Sequence, residues 1–278
     1  MGIVLGMVIA LLGGFIIFMN IPYSPVVSEF RELQKEINLG STNFESKVFT
    51  MKDIAYLPKP VQNYFIQCGF IGKRKMKIMN AKFYDADFIL NKGSKPIKIN
   101  YFQSNVANAP IRLALIDTSI YGLPFQGIDK YIDGAGSMKG VLGKVFTLFD
   151  EGGTEFEKAS LATYLAECFL VPSAILENDI AWEEIDEYTV KAIIHYKDVS
   201  VSGIFTFNKD GEVISFFTKD RMAISTDGTK ENAPWSATFK NYISKNGVKN
   251  PSRLQGIWHY SEGDSIYFDG KLSEIKYE

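Results

Sequence analysis

The amino-acid sequence predicts an α+β protein that is mainly antiparallel β: a strongly curved, open-barrel-like sheet packed around a central helix, with an N-terminal transmembrane helix. One long helical pattern, Thr154–Phe169, stands between two long runs of alternating apolar and polar residues, the period of strands with one buried face. No regular alternation of strands and helices indicates parallel βαβ units. A long uncharged apolar stretch lies at the amino terminus.

The charge balance argues against nucleic acid as a partner. The 30 Lys and Arg residues are offset by 32 Asp and Glu residues, so the net charge is -2, whereas a nucleic-acid partner calls for a basic surface. Cys68 and Cys168 are the only cysteines, too few for a disulfide framework or a thiolate zinc site. We therefore expect neither a metal nor a cofactor.

The apolar stretch Ile3–Met19 is almost long enough to cross a membrane alone, and its neighbours supply the remainder. At about 1.5 Å per residue it spans roughly 26 Å, against a hydrocarbon core of about 30 Å. It lacks the basic start and the small-residue cleavage site of a signal peptide. We therefore expect residues 1–21 to form an uncleaved, single-pass anchor in the cell membrane. Arg31 and Lys35 weakly favour a cytoplasmic domain, whereas the fold analogy given below favours the extracytoplasmic position that we predict.

Small residues recur every four positions in this segment, at Gly2, Gly6, Ala10 and Gly14. Such a stripe allows two membrane helices to approach closely, which predicts a homodimer through this face. The alternative is that the glycines reflect the ordinary composition of membrane helices.

Residues 22–49 are expected to form a juxtamembrane helix and a linker. Prolines interrupt the membrane helix, and an apolar stripe at helical spacing follows, at Val26, Phe30, Leu33 and Ile37. Gly40–Ser46 has the composition of a loop. The sequence leaves open whether this helix lies along the membrane or on the domain.

We expect residues 50–278 to form a single curved-sheet domain, because antiparallel sheets of this size commonly form one domain. The phase of the apolar residues shifts twice between Met76 and Leu90, which predicts two β-bulges and a bent sheet. Ile111, Leu113 and Leu115 continue the pattern of one buried face. A later strand is expected to run from Val213 to Ile224.

The sequence indicates both ends of the central helix, 154–169. Thr154 and Glu157 have the spacing of a capping box, and Pro172 prevents the helix from continuing. Its apolar residues share one face, which is expected to pack on the sheet: Leu161, Tyr164, Leu165, Cys168 and Phe169. The polar residues Ser160, Thr163 and Glu167 fall on the opposite side.

No motif in the chain specifies a reaction. Gly134, Gly136 and Gly140 are spaced almost like a phosphate-binding loop, but no helix follows, so we interpret them as turn residues. His195 and His259 are the only histidines, and both are interpreted as structural residues on strands. We predict no catalytic residue, and the sequence favours a protein that is not an enzyme.

Six residues form the candidate ligand-binding set: Asp129, Glu155, Glu167, Trp182, Arg221 and Trp235. Arg221 stands among apolar residues that are predicted to form a strand, where it is expected to pair with Asp129 or Glu167 as a structural ion pair. The two tryptophans either fill the core or line an apolar cleft. The sequence leaves open whether the concavity of the sheet is filled.

Many residues in a fixed order carry a family resemblance. They are Leu57, Pro58, Pro60, Val61, Tyr64, Gly69, Gly122, Leu123, Pro124, Gly127, Asp129, Tyr131, Gly134, Gly136, Met138, Glu155, Leu161, Tyr164, Leu165, Glu167, Pro172, Ala174, Leu176, Trp182, Gly211, Arg221, Trp235, Phe239, Tyr242, Gly247, Pro251 and Trp258. From about Leu57 to the carboxyl terminus, the chain resembles an uncharacterised bacterial family, often membrane-anchored, that is a domain of unknown function. The resemblance implies a fold and a membrane anchor and brings no catalytic residue.

Three functional hypotheses follow. By analogy of fold, a curved antiparallel sheet that holds a helix is similar to the lipoprotein-carrier type of periplasmic protein, which shelters acyl chains. The leading hypothesis is therefore binding of a hydrophobic ligand, with membrane lipid as a partner. The alternatives are an enzyme that acts on a membrane-derived substrate, with Asp129, Glu155, Glu167 and Arg221 as its polar residues, and an envelope scaffold without a ligand.

Overall fold

The computed structural model describes residues 2–40 and 47–278, so residues 41–46 of the predicted loop lie outside the described residues. The helices are α1 (Gly2–Asn20), α2 (Pro25–Gly40), α3 (Met51–Ile54), α4 (Lys59–Gln67), α5 (Thr154–Ala166) and α6 (Ser173–Glu177), with a 3₁₀ turn at Cys168–Leu170. The strands of the first half are β1 (Ile78–Phe88), β2 (Ile97–Val106), β3 (Ile111–Ile120), β4 (Leu123–Ile132), β5 (Ala135–Leu142) and β6 (Phe146–Gly152). Those of the second half are β7 (Ile180–Asp186), β8 (Thr189–Tyr196), β9 (Val199–Phe207), β10 (Val213–Thr218), β11 (Ala223–Ile224), β12 (Lys230–Glu231), β13 (Trp235–Lys245), β14 (Val248–Tyr260) and β15 (Gly263–Tyr277).

Within the described residues, 13 strands form one antiparallel sheet, which confirms the predicted fold class. The strand order is β6-β5-β4-β3-β2-β1-β15-β14-β13-β10-β9-β8-β7. The first and last strands in the chain pair in the middle of this order, with Met79 opposite Tyr277. This pairing joins the two predicted strand runs into one sheet. The strands β6 and β7 are its two edges, and the sheet is not closed.

The helix α5 connects the two edge strands across the concave face of the sheet. It packs against β5 and β9, which lie near opposite ends of the strand order. One straight helix can contact both strands only if the sheet curls around it. Leu161, Tyr164 and Leu165 of α5 are fully buried, as its predicted apolar face requires.

The predicted capping box of α5 is wrong. The N-cap residue is Gly153, at a φ of 101° that favours glycine, so Thr154 is already the first helical residue and its side chain caps nothing. The amide of Glu157 instead donates to the carbonyl of Gly153 at 3.0 Å. The helix also ends at Ala166, before the 3₁₀ turn, rather than continuing to Phe169.

A capping box begins α3. The side chain of Thr50 accepts a hydrogen bond from the amide of Asp53, and the Asp53 carboxylate accepts one from the amide of Thr50. Two shifts are predicted in β1, and its pairing with β15 shifts twice, between Lys82 and Phe83 and between Phe83 and Asp87. Its pairing with β2 shifts once, between Phe83 and Ala86. The first shift therefore lies beyond Ala81, later in the chain than the apolar pattern predicts.

The helix α2 lies on the convex face of the sheet. Its residues Val26 and Phe30 pack with Leu113, Leu115 and Ile128, which point outward from β3 and β4. This contact answers the question that the sequence left open, because the helix packs on the sheet. The leucines Leu113 and Leu115 of β3 are therefore buried under α2, on the convex side of the sheet.

The helix α1 is long and apolar enough to cross a membrane, and none of its described residues is buried. A lysine holds its end against the sheet. Lys144, in the turn between β5 and β6, donates from Nζ to the carbonyls of Phe18 and Ile21 at 2.7 Å each. The homodimer through Gly2, Gly6, Ala10 and Gly14 stays a prediction, and so does the division of the chain into residues 1–21, 22–49 and 50–278.

Candidate ligand-binding site

A cavity of about 240 Å³ lies between α5 and the concave face of the sheet. Its apolar wall is built by β1, β13, β14 and β15, whose inward side chains include Phe83, Phe88, Trp235, Trp258, Tyr267 and Phe268. Strand side chains alternate in direction, but irregular pairing changes the phase of β1 after Phe83 and of β15 at Tyr267. Phe83 and Phe88 therefore face the same side, and so do the consecutive residues Tyr267 and Phe268. The exposed residues Lys92 and Glu151 also line the cavity, which therefore reaches the protein surface.

The polar face of α5 forms the opposite wall of the cavity. Ser160, Thr163 and Glu167, which the sequence places opposite the apolar face, all line it. The helix approaches the sheet closely at Gly136, where a Cβ atom would collide with the backbone carbonyl of Phe156. The interpretation of this glycine as a turn residue is therefore wrong: Gly136 lies in β5, and the absence of a side chain there allows the helix to pack.

A buried ion cluster centred on Arg112 occupies the polar end of the cavity. Arg112 lies in β3 and is only 4% exposed. Its Nε donates to Oε2 of Glu167 at 2.9 Å, and its Nη1 donates to Oδ2 of Asp129 at 2.7 Å. Its Nη2 donates to the hydroxyl of Tyr101 at 2.5 Å. Arg112 thus joins three elements, namely β2, β4 and the end of α5.

Further donors fix the Glu167 carboxylate. The side-chain amides of Gln103 and Asn105 donate to the same Oε2 at 2.7 and 2.8 Å. Burial disfavours the charge of Arg112, but the attraction of Glu167, Tyr101 and Asp129 outweighs it and holds the pKa of Arg112 well above its usual value. Burial raises the pKa of the Tyr101 hydroxyl. Arg112 therefore stays charged, and its partners are held by hydrogen bonds within the cluster.

Arg221 lies apart from this cluster and does not pair as expected. The predicted strand Val213–Ile224 is interrupted, since β10 ends at Thr218 and Arg221 lies in the connection to β11. The Arg221 guanidinium carbon stands 4.2 Å from the ring centre of Trp235 and 5.1 Å from that of Trp258. The ion pairs predicted for Arg221 are made by Arg112 instead.

The segment 219–231, here called the flap, covers part of the cavity. Its strands β11 and β12 pair only with each other, and residues 221–226 line the cavity. Hydrogen bonds and ion pairs attach the flap to the rim. Thr226 donates from its amide to the side-chain oxygen of Asn91 at 2.9 Å, Lys92 pairs with Glu231 at 2.7 Å, and Lys230 pairs with Glu155 at 3.0 Å.

The structure brings four of the six candidate residues to the cavity: Asp129, Glu167, Arg221 and Trp235. Glu155 belongs to the attachment of the flap. Trp182 packs against Phe169 and Phe205, with ring centres 5.9 and 6.0 Å away, and does not line the cavity.

Arg112 is the central residue of the cluster, and it is not among the candidates that the sequence indicates. The only available signal is that β3 is apolar at successive positions from Leu113 to Ile116, as expected for a strand covered on both faces. In such a strand Arg112 shares a face with Ala114 and Ile116, which belong to the main core, so its charge is directed inward.

His259 has partners that resemble a Ser-His-Asp arrangement. Its Nε2 lies 2.8 Å from the Ser236 hydroxyl, and its Nδ1 lies 2.7 Å from Oδ1 of Asp264. The neighbouring residues Trp235 and Trp258 face the cavity, so Ser236 and His259 are directed to the convex side. Nucleophilic catalysis also requires donors for an oxyanion, and the strand that carries Ser236 is paired on both sides in the sheet. We therefore assign this group a structural role.

Comparison with known proteins gives a family and similar solved structures. No curated protein matches the chain. The chain is similar to the crystal structure of a LolA superfamily protein from Nitrosomonas europaea, with 10% sequence identity, a TM-score of 0.40, and coverage of 84% of this chain and 94% of that chain. The model of a family of unknown function, DUF6544, matches residues 47–270. The chain belongs to this family of unknown function, DUF6544.

Proposed function

We propose that this protein is a membrane-anchored binding protein and that the cavity holds an acyl chain taken from a membrane lipid. The observation that carries the proposal is the cavity of about 240 Å³ between α5 and the sheet, with aromatic walls and an opening to the surface. Binding sites for small molecules are typically concave and mostly apolar, with a few placed polar groups. The flap and the Arg112 cluster supply such groups here.

The cavity volume limits the size of the ligand. An apolar cavity of about 150 Å³ accommodates benzene, whereas pockets for drug-sized ligands measure about 300–1,000 Å³. A cavity of about 240 Å³ lies between these values. It suits one acyl chain or part of one, and it is too small for an intact lipid with two chains.

The charged residues favour binding over catalysis. Asp129 and Glu167, the carboxylates that the enzyme hypothesis requires, both accept hydrogen bonds from Arg112. A general acid or base needs freedom to exchange a proton with a substrate. Carboxylates engaged by a buried guanidinium are better suited to shaping and closing one end of a cavity.

Membrane attachment places the cavity near its source of ligand. We infer that α1 spans the bilayer and that the turn holding Lys144 faces the membrane surface. Large apolar side chains in this turn and in the strands and turn beside it are exposed, namely Tyr121, Val145, Phe146 and Leu148. An extracytoplasmic position for the sheet is part of the proposal, and a carboxyl-terminal fusion to a reporter enzyme that is active only outside the cytoplasm tests it. A stable but inactive fusion would reverse the orientation.

Photolabelling of the full chain in lipid nanodiscs tests the ligand proposal. A 12-carbon fatty alcohol that carries a diazirine near the end of its chain should label peptides containing Met138, Trp235 and Trp258. Ala159→Phe, which adds a ring to the cavity face of α5, should abolish this labelling. Ala181→Phe, at an exposed position of β7, is the matched control and should retain it. Label that is confined to α1 and to exposed surfaces would overturn the proposal.

A further inference from the structure

The guanidinium group of Arg221 lies over the rings of Trp235 and Trp258, and these contacts do not use its N–H groups. Tryptophan attracts the guanidinium through its ring face, and its indole nitrogen is a donor that cannot accept a hydrogen bond. The neighbours Trp235 and Trp258 therefore hold the side chain of Arg221 in place without satisfying its N–H groups. These groups require an acceptor in the plane of the guanidinium.

Two nitrogen atoms of Arg221 have no such acceptor within the described residues 2–40 and 47–278. Both Nε and Nη1 are buried, and neither has a hydrogen-bond partner there. Leaving a buried donor of a charged group unsatisfied is costly. Arg221 lines the cavity, so a ligand held there could supply the missing acceptor.

The acidic residues of the polar end cannot serve Arg221 without breaking other contacts. Asp129 and Glu167 are engaged by Arg112 at 2.7 and 2.9 Å. In contrast with Arg112, which has two carboxylate partners, Arg221 is a cation beside an aromatic, apolar wall. An amphipathic molecule with an anionic head and an acyl chain would match both features at once.

We propose that Arg221 binds the anionic head group of the ligand, a carboxylate or a phosphate, while the acyl chain lies against Trp235, Trp258 and the neighbouring aromatic residues. This inference rests on the proposed function, since it specifies the chemical class of the ligand in the same cavity. Arginine presents parallel N–H groups that suit both anions. The indole rings fix the orientation of the guanidinium before the ligand arrives, which lowers the entropy lost on binding.

The test compares three photoreactive probes with the same 12-carbon chain in full-length protein in nanodiscs: the fatty acid, the lysophosphatidic acid and the uncharged alcohol. Cavity labelling is normalised to labelling of the nanodisc scaffold protein, which corrects for unequal partition into the bilayer. At least one anionic probe should half-saturate the cavity at a concentration about tenfold below that of the alcohol, the value expected for a charged hydrogen bond. The probe with the larger advantage identifies the head group as a carboxylate or a phosphate.

Variants assign this preference to Arg221. Arg221→Gln should abolish the advantage of the anionic probes and leave labelling by the alcohol unchanged, which also shows that the cavity is intact. Arg221→Lys should retain only part of the advantage, because lysine offers neither the planar stack nor the paired donors. Lys98→Gln, which removes an exposed cation of β2 that does not line the cavity, is the matched control and should retain the full advantage.

Failure of this inference is distinguishable from failure of the proposed function. If all three probes label the cavity equally, or if the preference survives in Arg221→Gln, the role of Arg221 is overturned while acyl binding stands. If no probe labels the cavity, the proposed function fails and this inference fails with it.

Discussion

Arg112 of β3 donates a hydrogen bond of 2.9 Å from Nε to Oε2 of Glu167, the residue that follows α5. This contact ties the carboxyl end of the central helix to the concave face of the sheet. The side chains are 5% and 12% exposed, so solvent weakens their attraction little. The pair therefore positions the helix and closes the polar end of the cavity with one interaction.

Removal of the Arg112 charge should strongly destabilise the protein. Arg112→Met leaves the carboxylates of Glu167 and Asp129 without their cation, and the loss of one partner of a buried ion pair typically costs about 3–5 kcal/mol. We expect the free energy of unfolding to fall by about 3 kcal/mol, because Asp129 is partly exposed. Urea titration of the full chain in nanodiscs, followed by tryptophan fluorescence, measures this change. Lys98→Met, which breaks the exposed pair with Asp87, should have little effect.

The close contact of α5 with β5 should make Gly136 intolerant of a side chain. In Gly136→Ala the added Cβ would collide with the backbone at Phe156, and overpacking of this kind costs about 1–3 kcal/mol. Gly127→Ala is the matched control in β4, since its nearest contact would be an ordinary 3.4 Å to the carbonyl oxygen of Lys139. In thermal unfolding, Gly136→Ala should have a clearly lower midpoint temperature than Gly127→Ala. Equal stability of the two would show that the helix shifts without cost.

The ion pair between Lys230 and Glu155 should affect the opening of the flap more than the stability of the fold. Lys230 and Glu155 are both partly exposed, and exposed pairs contribute little to stability. In Glu155→Gln we expect amide hydrogen exchange of residues 221–231 to accelerate roughly two- to fivefold, with the rest of the sheet unchanged. Lys82→Gln breaks a comparable exposed pair with Glu274 and should leave the flap unaffected. Unchanged exchange in Glu155→Gln would show that other contacts hold the flap.

The turn between β5 and β6 should contact the membrane. Phe146 is 65% exposed, whereas both native cysteines are buried, so Phe146→Cys offers one accessible thiol for an environment-sensitive fluorophore. In nanodiscs we expect blue-shifted emission and quenching by spin-labelled lipid. Lys209→Cys, in the turn between β9 and β10, should show neither effect. Identical spectra from the two positions would place the Phe146 turn in water.

Alkaline pH should weaken the fold through its buried thiols and phenols. Burial raises the pKa of Cys68 to about 12 and that of Cys168 well above its usual value of 9.0, and burial likewise raises the pKa of Tyr64 and Tyr164. Above about pH 9 the unfolded chain releases these protons while the native chain retains them, so the free energy of unfolding falls as pH rises from 9 toward 12. The urea concentration at the midpoint of unfolding, measured at pH 7, 9 and 10, reports this loss. Cys68→Ala should show a smaller loss, and a pH-independent midpoint would contradict the expectation.

The sequence by itself determined the local elements. The apolar stretch at the amino terminus, the helical period from Thr154 and the twofold alternation of the strands all depend on short-range spacing, and each produces its element. The turn at Asn246 and Gly247 is also a local feature: an Asn-Gly pair favours a two-residue hairpin, and the φ values there are 55° and 76°.

Only the tertiary structure decided which face of each element meets the cavity. Strand alternation shows which residues share a face, but β3 is covered on both sides, by α2 and by the core, so its sequence does not reveal that Arg112 points inward. Arg221 of the flap contacts Trp235 of β13, and no local pattern in the flap indicates this contact. The residues of the site come together through long-range pairing and curvature of the sheet, and these depend on the whole chain rather than on any local pattern.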